Sequence, residues 1–236
     1  GFDRRIVTAL REAGVLVIHQ VGQPDQARRA IDEGAQALIA QGLEAGGHLL
    51  AVRPLDEALP AILEVAAPTR VPVLAAGGIG SRERVAEVLN AGAVAAVAGT
   101  RFLLTRECHA HPSYQRRVLG AERTLETELF GFGWPARHRV VPNAATRRWC
   151  ARAEAGSPLV RGFNRRTGRL GGLLPLSTLE VTARLQRPTI PLFSPGAALR
   201  GMPERTVDST PLYAGVVSRD IEQIVPAGDA VGELTP

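Results

Sequence analysis

Val71-Pro72-Val73-Leu74-Ala75-Ala76-Gly77-Gly78-Ile79-Gly80-Ser81 is the stretch on which the reading of the fold turns. Its apolar residues run continuously instead of alternating, which marks a strand buried on both faces of a parallel sheet. The run passes straight into a glycine turn. Ser81 then stands where a serine caps a helix, with Val85, Val88 and Leu89 spaced for the inner face. Strand, turn and helix in that order form the unit of an α/β fold.

The same unit repeats on either side. Val15-Leu16-Val17-Ile18 follows Gly14, Ala37-Leu38-Ile39-Ala40 follows Gly34, and Ala93-Val94-Ala95-Ala96-Val97 follows Gly92. A glycine just past a helix end takes the left-handed turn that reverses the chain. One helix precedes the first strand and a shorter one fits residues 24–33. A third places Leu55, Leu59, Ile62, Leu63 and Ala66 on one face, with Pro54 in its first turn. Four strands and four helices make either a small open sheet or half of a (β/α)₈ barrel, which needs eight units and about 250 residues.

Beyond residue 107 the pattern changes. One amphipathic stretch covers 113–129, and 13 Gly plus Pro punctuate residues 156–203, where apolar runs are too short for core strands. The expected division is a partial barrel over 1–107 and a mainly helical or irregular region over 108–236.

Composition narrows the partners. The chain has 236 residues, 45% hydrophobic and 22% charged, with mean hydropathy +0.02, the balance of a globular protein. No apolar run approaches the roughly 18 residues of a membrane span, and no charged-then-apolar leader opens the chain. Cys108 and Cys150 lack metal-ligand spacing. A cytoplasmic protein without a membrane or metal partner is the expectation. The net charge of +5 would invite nucleic acid, but all 28 basic residues are arginine, scattered and without interleaved aromatics. Nucleic acid is therefore not expected.

Ligands of parallel α/β folds lie at the C-terminal ends of the strands. There the chain reads Gln41-Gly42-Leu43-Glu44-Ala45-Gly46-Gly47-His48, Ala76-Gly77-Gly78-Ile79-Gly80-Ser81 and Ala98-Gly99-Thr100-Arg101-Phe102. A glycine turn alone is equally a tight strand-to-helix connection. Two on neighbouring strands, at 77–80 and 98–100, aim backbone N–H groups at one point and read as a phosphate site, with Thr100 adding a hydroxyl. His48 suits proton abstraction beside a carbonyl or nitro group, or is a loop histidine bonded to backbone. Gln41 either meets a flavin or substrate edge or pairs with backbone. His19 is a weaker candidate, His109 and His111 read as surface, and His138 sits in no visible constellation.

In combination these strings resemble the nitronate monooxygenase family, formerly the 2-nitropropane dioxygenases. The resemblance extends to His111-Pro112-Ser113-Tyr114, to Pro135-Ala136-Arg137 with Asn143, and to Leu212-Tyr213-Ala214-Gly215. It implies an FMN-binding (β/α)₈ barrel with a helical C-terminal domain, the strands here being barrel strands five to eight. It implies His48 as catalytic base. Gln41, Gly46 and Gly47 would lie at the flavin, and Gly77, Gly78, Gly99 and Thr100 at its phosphate. Substrate and O₂ would be the small-molecule partners, with a homo-oligomer or a missing N-terminal half also expected. Three departures stand out: barrel strands one to four are expected to be absent, Leu50 replaces a common glycine, and Val97-Ala98 replace larger or polar residues. FMN-dependent enoyl-ACP reductases carry a similar Glu-Ala-Gly-Gly-His string and form the alternative enzyme class. A non-catalytic interaction module forms the other.

Overall fold

The computed structural model describes residues 4–171 and 176–236. In chain order the elements are α1 (Arg4–Glu12), β1 (Ile18–Val21), α2 (Pro24–Asp32), β2 (Ala37–Gln41), β3 (Gly47–His48), α3 (Leu55–Ala66), β4 (Val73–Ala76), α4 (Arg82–Asn90), β5 (Ala95–Val97) and α5 (Gly99–Leu103). There follow α6 (Pro112–Val118), β6 (Leu125–Thr127), β7 (His138–Val140), α7 (Ala144–Trp149), α8 (Pro158–Gly171), α9 (Leu176–Leu185) and α10 (Ala227–Leu234). The chain divides into two compact units. One takes residues up to Ala45, Leu49–Gly99 and Gly228–Pro236; the other takes Gly46–His48 and Thr100–Ala227.

The first unit carries a four-stranded sheet in the order β1-β2-β4-β5, every neighbouring pair parallel. This is the α/β arrangement of half a (β/α)₈ barrel. Gly14, Gly34 and Gly92 have φ of 75°, 100° and 107°, the left-handed turns read from the sequence. Ser81 accepts a hydrogen bond from the Arg84 amide at 3.2 Å and caps α4. Val21, Leu38, Ala40, Val73 and Ala75 pack with Leu55, Leu59 and Ile62 of α3 and with Val85 and Val88 of α4 in one core.

Several expectations shift. The first strand starts at Ile18, not Val15, because pairing begins at Ile18↔Ala37; Val15 and Leu16 stay exposed. Pro54 is the residue before α3 rather than within its first turn. Leu89 is 37% exposed, so α4 buries Val85 and Val88 alone of the three. The strands are not buried on both faces. The row Gln20, Ile39, Leu74, Ala95, set by the register, is half-buried or exposed, whereas the next row, Val21, Ala40, Ala75, Ala96, lies in the helix-covered core.

The second unit, expected to be mainly helical, also carries an antiparallel sheet in the order β3-β7-β6. The amphipathic stretch read over 113–129 breaks at Gly120, where φ is 63°, and ends in β6. Of the Pro/Gly-punctuated tail, residues 172–175 lie outside the described residues. Two cores hold this unit. Leu104, Tyr114, Val118, Val207 and Leu212 form one, and Leu129, Phe130, Val140 and Phe193 the other.

Candidate active site

The Glu44-to-His48 string divides its labour residue by residue. In the first unit the Glu44 carboxylate accepts from the Leu55 amide at 3.0 and 3.2 Å. A negative charge thereby satisfies an orphan N–H at the start of α3, where Pro54 supplies no side-chain cap. Gln41 is buried, and its Oε1 accepts from the amides of Leu50 at 2.7 Å and Ala51 at 3.3 Å, pinning the segment after His48. Gly77 and Gly78 have φ of 117° and 68°. A Cβ on Gly77 would lie 3.2 Å from the Gly42 backbone, and one on Gly78 3.2 Å from Glu44 Cβ. These glycines let the loops after β2 and β4 nest together. Register pairs Ala76 with Val97, so the turn at Gly77 and the residue Gly99 extend from neighbouring strand ends. Gly99 has open space where a side chain would begin.

In the second unit Gly46 packs backbone on backbone. A Cβ there would stand 2.5 Å from Ala214 C and Gly215 N. The Gly215 amide in turn donates to the buried Thr100 Oγ1 at 2.9 Å. Gly47 has φ of 79° and is the first residue of β3, which places His48 opposite His138 of β7.

His48 sits among aromatic rings. The Trp134 indole stacks on it with centroids 5.3 Å apart and planes at 27°, Tyr213 lies at 5.6 Å, and His138 meets it edge-on at 5.7 Å. Burial lowers the His48 pKa below the usual histidine value, so at neutral pH its imidazole is uncharged. His138 is fully buried, and burial, reinforced by His48, lowers its pKa to about 3. Its Nδ1 lies 3.0 Å from the Ala136 carbonyl and its Nε2 accepts from the Phe130 amide at 3.4 Å, which defines the Nδ1–H tautomer. Tyr213 is fixed at both ends: Tyr114 Oη donates to its carbonyl at 2.7 Å, and its own hydroxyl donates to the Pro195 carbonyl at 2.9 Å.

The expected residues are thus distributed. Gln41, Gly77, Gly78 and Gly99 belong to the first unit, and Gly46, Gly47, His48 and Thr100 to the second. His19 shares a register row with Leu38 and Val73 of the helix-covered core. His111, expected at the surface, is buried; its Nδ1 accepts from the Ser113 amide at 3.1 Å and caps α6. His138, read as isolated, is the neighbour of His48. Among the described residues no group of His, Cys, Asp and Glu could hold a metal ion, and no helix is long and apolar enough to cross a membrane.

The nitronate monooxygenase family model matches residues 2–236. The chain belongs to that family. Over 140 residues it is 39% identical to (3aS,4S,5R,7aS)-5-hydroxy-7a-methyl-1-oxo-octahydro-1H-indene-4-carboxyl-CoA dehydrogenase from Mycobacterium tuberculosis, covering 58% of this chain and 38% of the relative. Over 143 residues it is 36% identical to a nitronate monooxygenase from Neurospora crassa, covering 58% and 36%. Nitroalkane oxidase from Streptomyces ansochromogenes superposes with a TM-score of 0.70 at 29% identity, over 99% of this chain and 60% of that one. The matched segments span well under half the length of these two curated relatives. Family membership gives the Glu-Ala-Gly-Gly-His string its context.

Proposed function

We propose that this chain carries the FMN-holding and proton-accepting residues of a flavin-dependent oxidoreductase that acts on alkyl nitronates or nitroalkanes with O₂. The observation that carries the reading is His48, a neutral imidazole held by aromatic rings, in a chain of this family. In this reading His48 takes the α-proton of a nitroalkane, and the C–H electron pair passes into the carbon–nitrogen double bond of the nitronate. A substrate arriving as the nitronate needs no such step.

The residues present fit a flavin phosphate. Gly77 and Gly99, on neighbouring strand ends, present backbone without side chains, and Gly99 opens onto free space. Gly77, Gly78 and Gly99 would hold the phosphate; Thr100, which the resemblance also assigns to it, accepts from the Gly215 amide through its oxygen, not its hydrogen. Gln41, Gly46 and Gly47 would lie at the flavin, as the family resemblance implies. FMN, when bound, supplies the two-electron chemistry and the reaction with O₂.

The test is the absorption spectrum followed by turnover. The protein is expected to bind FMN, absorbing near ~450 nm, and to consume O₂ with propyl nitronate without NADH. A protein that stays colourless after FMN is added contradicts the reading. A second reading, oxidation or reduction of a thioester, is favoured by the M. tuberculosis relative. It too removes or adds a proton beside an electron-withdrawing group and so shares His48. Flavin reduction by NADH with a crotonyl thioester as acceptor would select it.

A further inference from the structure

Trp134 is unusual among the aromatic residues of the second unit. It is 61% exposed, yet its indole lies flat over His48. Exposure of that extent normally accompanies a ring free to leave. Here the turn that carries it is tied at every step. The Phe132 amide donates to the Phe193 carbonyl at 3.0 Å, the Gly133 amide to Thr167 Oγ1 at 3.2 Å, and the Trp134 amide to the Gly131 carbonyl at 3.1 Å. Gly133 has φ of 76°, a left-handed turn, and Phe132 stacks on Phe163 of α8 at 6.0 Å. Asn164 of α8 donates to the carbonyls of Glu128 and Leu129 at the root of the same turn. A large apolar ring is therefore held toward solvent by a rigid loop, with its inner face against one imidazole.

We propose that Trp134 is a positioning residue for His48, its indole face fixing the imidazole and receiving the cation formed when that ring takes a proton. This rests on the reading of His48 as base. The chemistry follows from the neighbours. The rings against His48 include the buried His138 from β7 and the half-buried Tyr213, both neutral and hydrogen-bonded to backbone. Of the charged groups of the same ribbon, Arg137 and Arg139 both pair with Glu126, at 3.3 and 2.6 Å. An imidazolium in such surroundings is stabilised by the quadrupole of an aromatic face, and indole has the strongest. Trp134 thus opposes the burial that disfavours the charged form.

The test reads His48 directly, without cofactor or turnover, from the pH titration of its ring signals by NMR in the whole chain. In Trp134→Leu the midpoint is expected to fall by roughly half a pH unit or more, with Trp134→Phe between it and wild type. A second readout is fluorescence, since an imidazolium in contact quenches indole. Emission of the wild-type protein is expected to fall with the midpoint of the His48 titration, and this component should vanish in Trp134→Phe, which retains Trp149. An unmoved His48 midpoint in Trp134→Leu, or emission that ignores the titration, overturns the proposal. The base reading stands or falls separately, on turnover of His48→Ala. If that variant keeps full activity while Trp134→Leu still shifts the midpoint, the coupling holds and the base role does not.

Discussion

His48 and His138 are register partners across the β3–β7 pair, with ring centroids 5.7 Å apart. Both are neutral at pH 7 because both lose water on folding. This relationship links the candidate site to the stability of the fold.

That link has a sign. An unfolded histidine takes a proton near pH 6.5, whereas folded His138 resists until about pH 3. The native state thus binds fewer protons in this window, and stability present above pH 6.5 is lost as pH falls toward 3. Between pH 7 and pH 5 the loss from His138 is about 2 kcal/mol, and His48 adds to it in the same direction. Urea midpoints at the two pH values check this, and His138→Asn should flatten the dependence.

Gly46 and Gly47 are adjacent but fill different requirements. Gly46→Ala drives a Cβ into the Ala214–Gly215 backbone, and overpacking of this kind costs about 1–3 kcal/mol or more. Gly47→Ala meets nothing within 4 Å and pays only for its left-handed φ, about 1 kcal/mol. Thermal melts of the two variants should rank in that order, with Gly46→Ala also broadening the NMR signals of His48 and Tyr213.

Thr100→Val removes the acceptor for a buried amide, Gly215 N–H. Leaving that donor unpaired costs about 1–3 kcal/mol, while Thr100→Ser keeps the acceptor and most of the stability. Hydrogen exchange at the Gly215 amide is expected to speed up in the valine variant alone.

The sequence showed the parallel units clearly because each signal was local: an apolar run, a glycine at positive φ, a serine cap. Strand ends fixed by pairing partners, as at Ile18, were not legible, since register depends on residues some twenty positions away. The second sheet is illegible in the sequence for a similar reason. The two-residue β3 and the three-residue β6 and β7 have no periodicity to detect. His48 stood out through its glycines. His138 did not, although His138-Arg139-Val140 follows the Trp134 turn closely, because nothing in the spacing places it beside a residue ninety positions earlier. The motif strings were legible as motifs but not as structure. Asn143 donates to the carbonyls of Val207 and Thr210 and forms a capping box with Thr146, a building role that reads from sequence only as a capping signal.

In the proposed function His48 accepts a proton from carbon. The most direct measurement compares the His48→Ala holoenzyme on a neutral nitroalkane and on the pre-formed nitronate of the same compound. A fall of about 10²–10⁴ in kcat/KM is expected for the nitroalkane, with a far smaller loss for the nitronate. Equal losses on both substrates would contradict it.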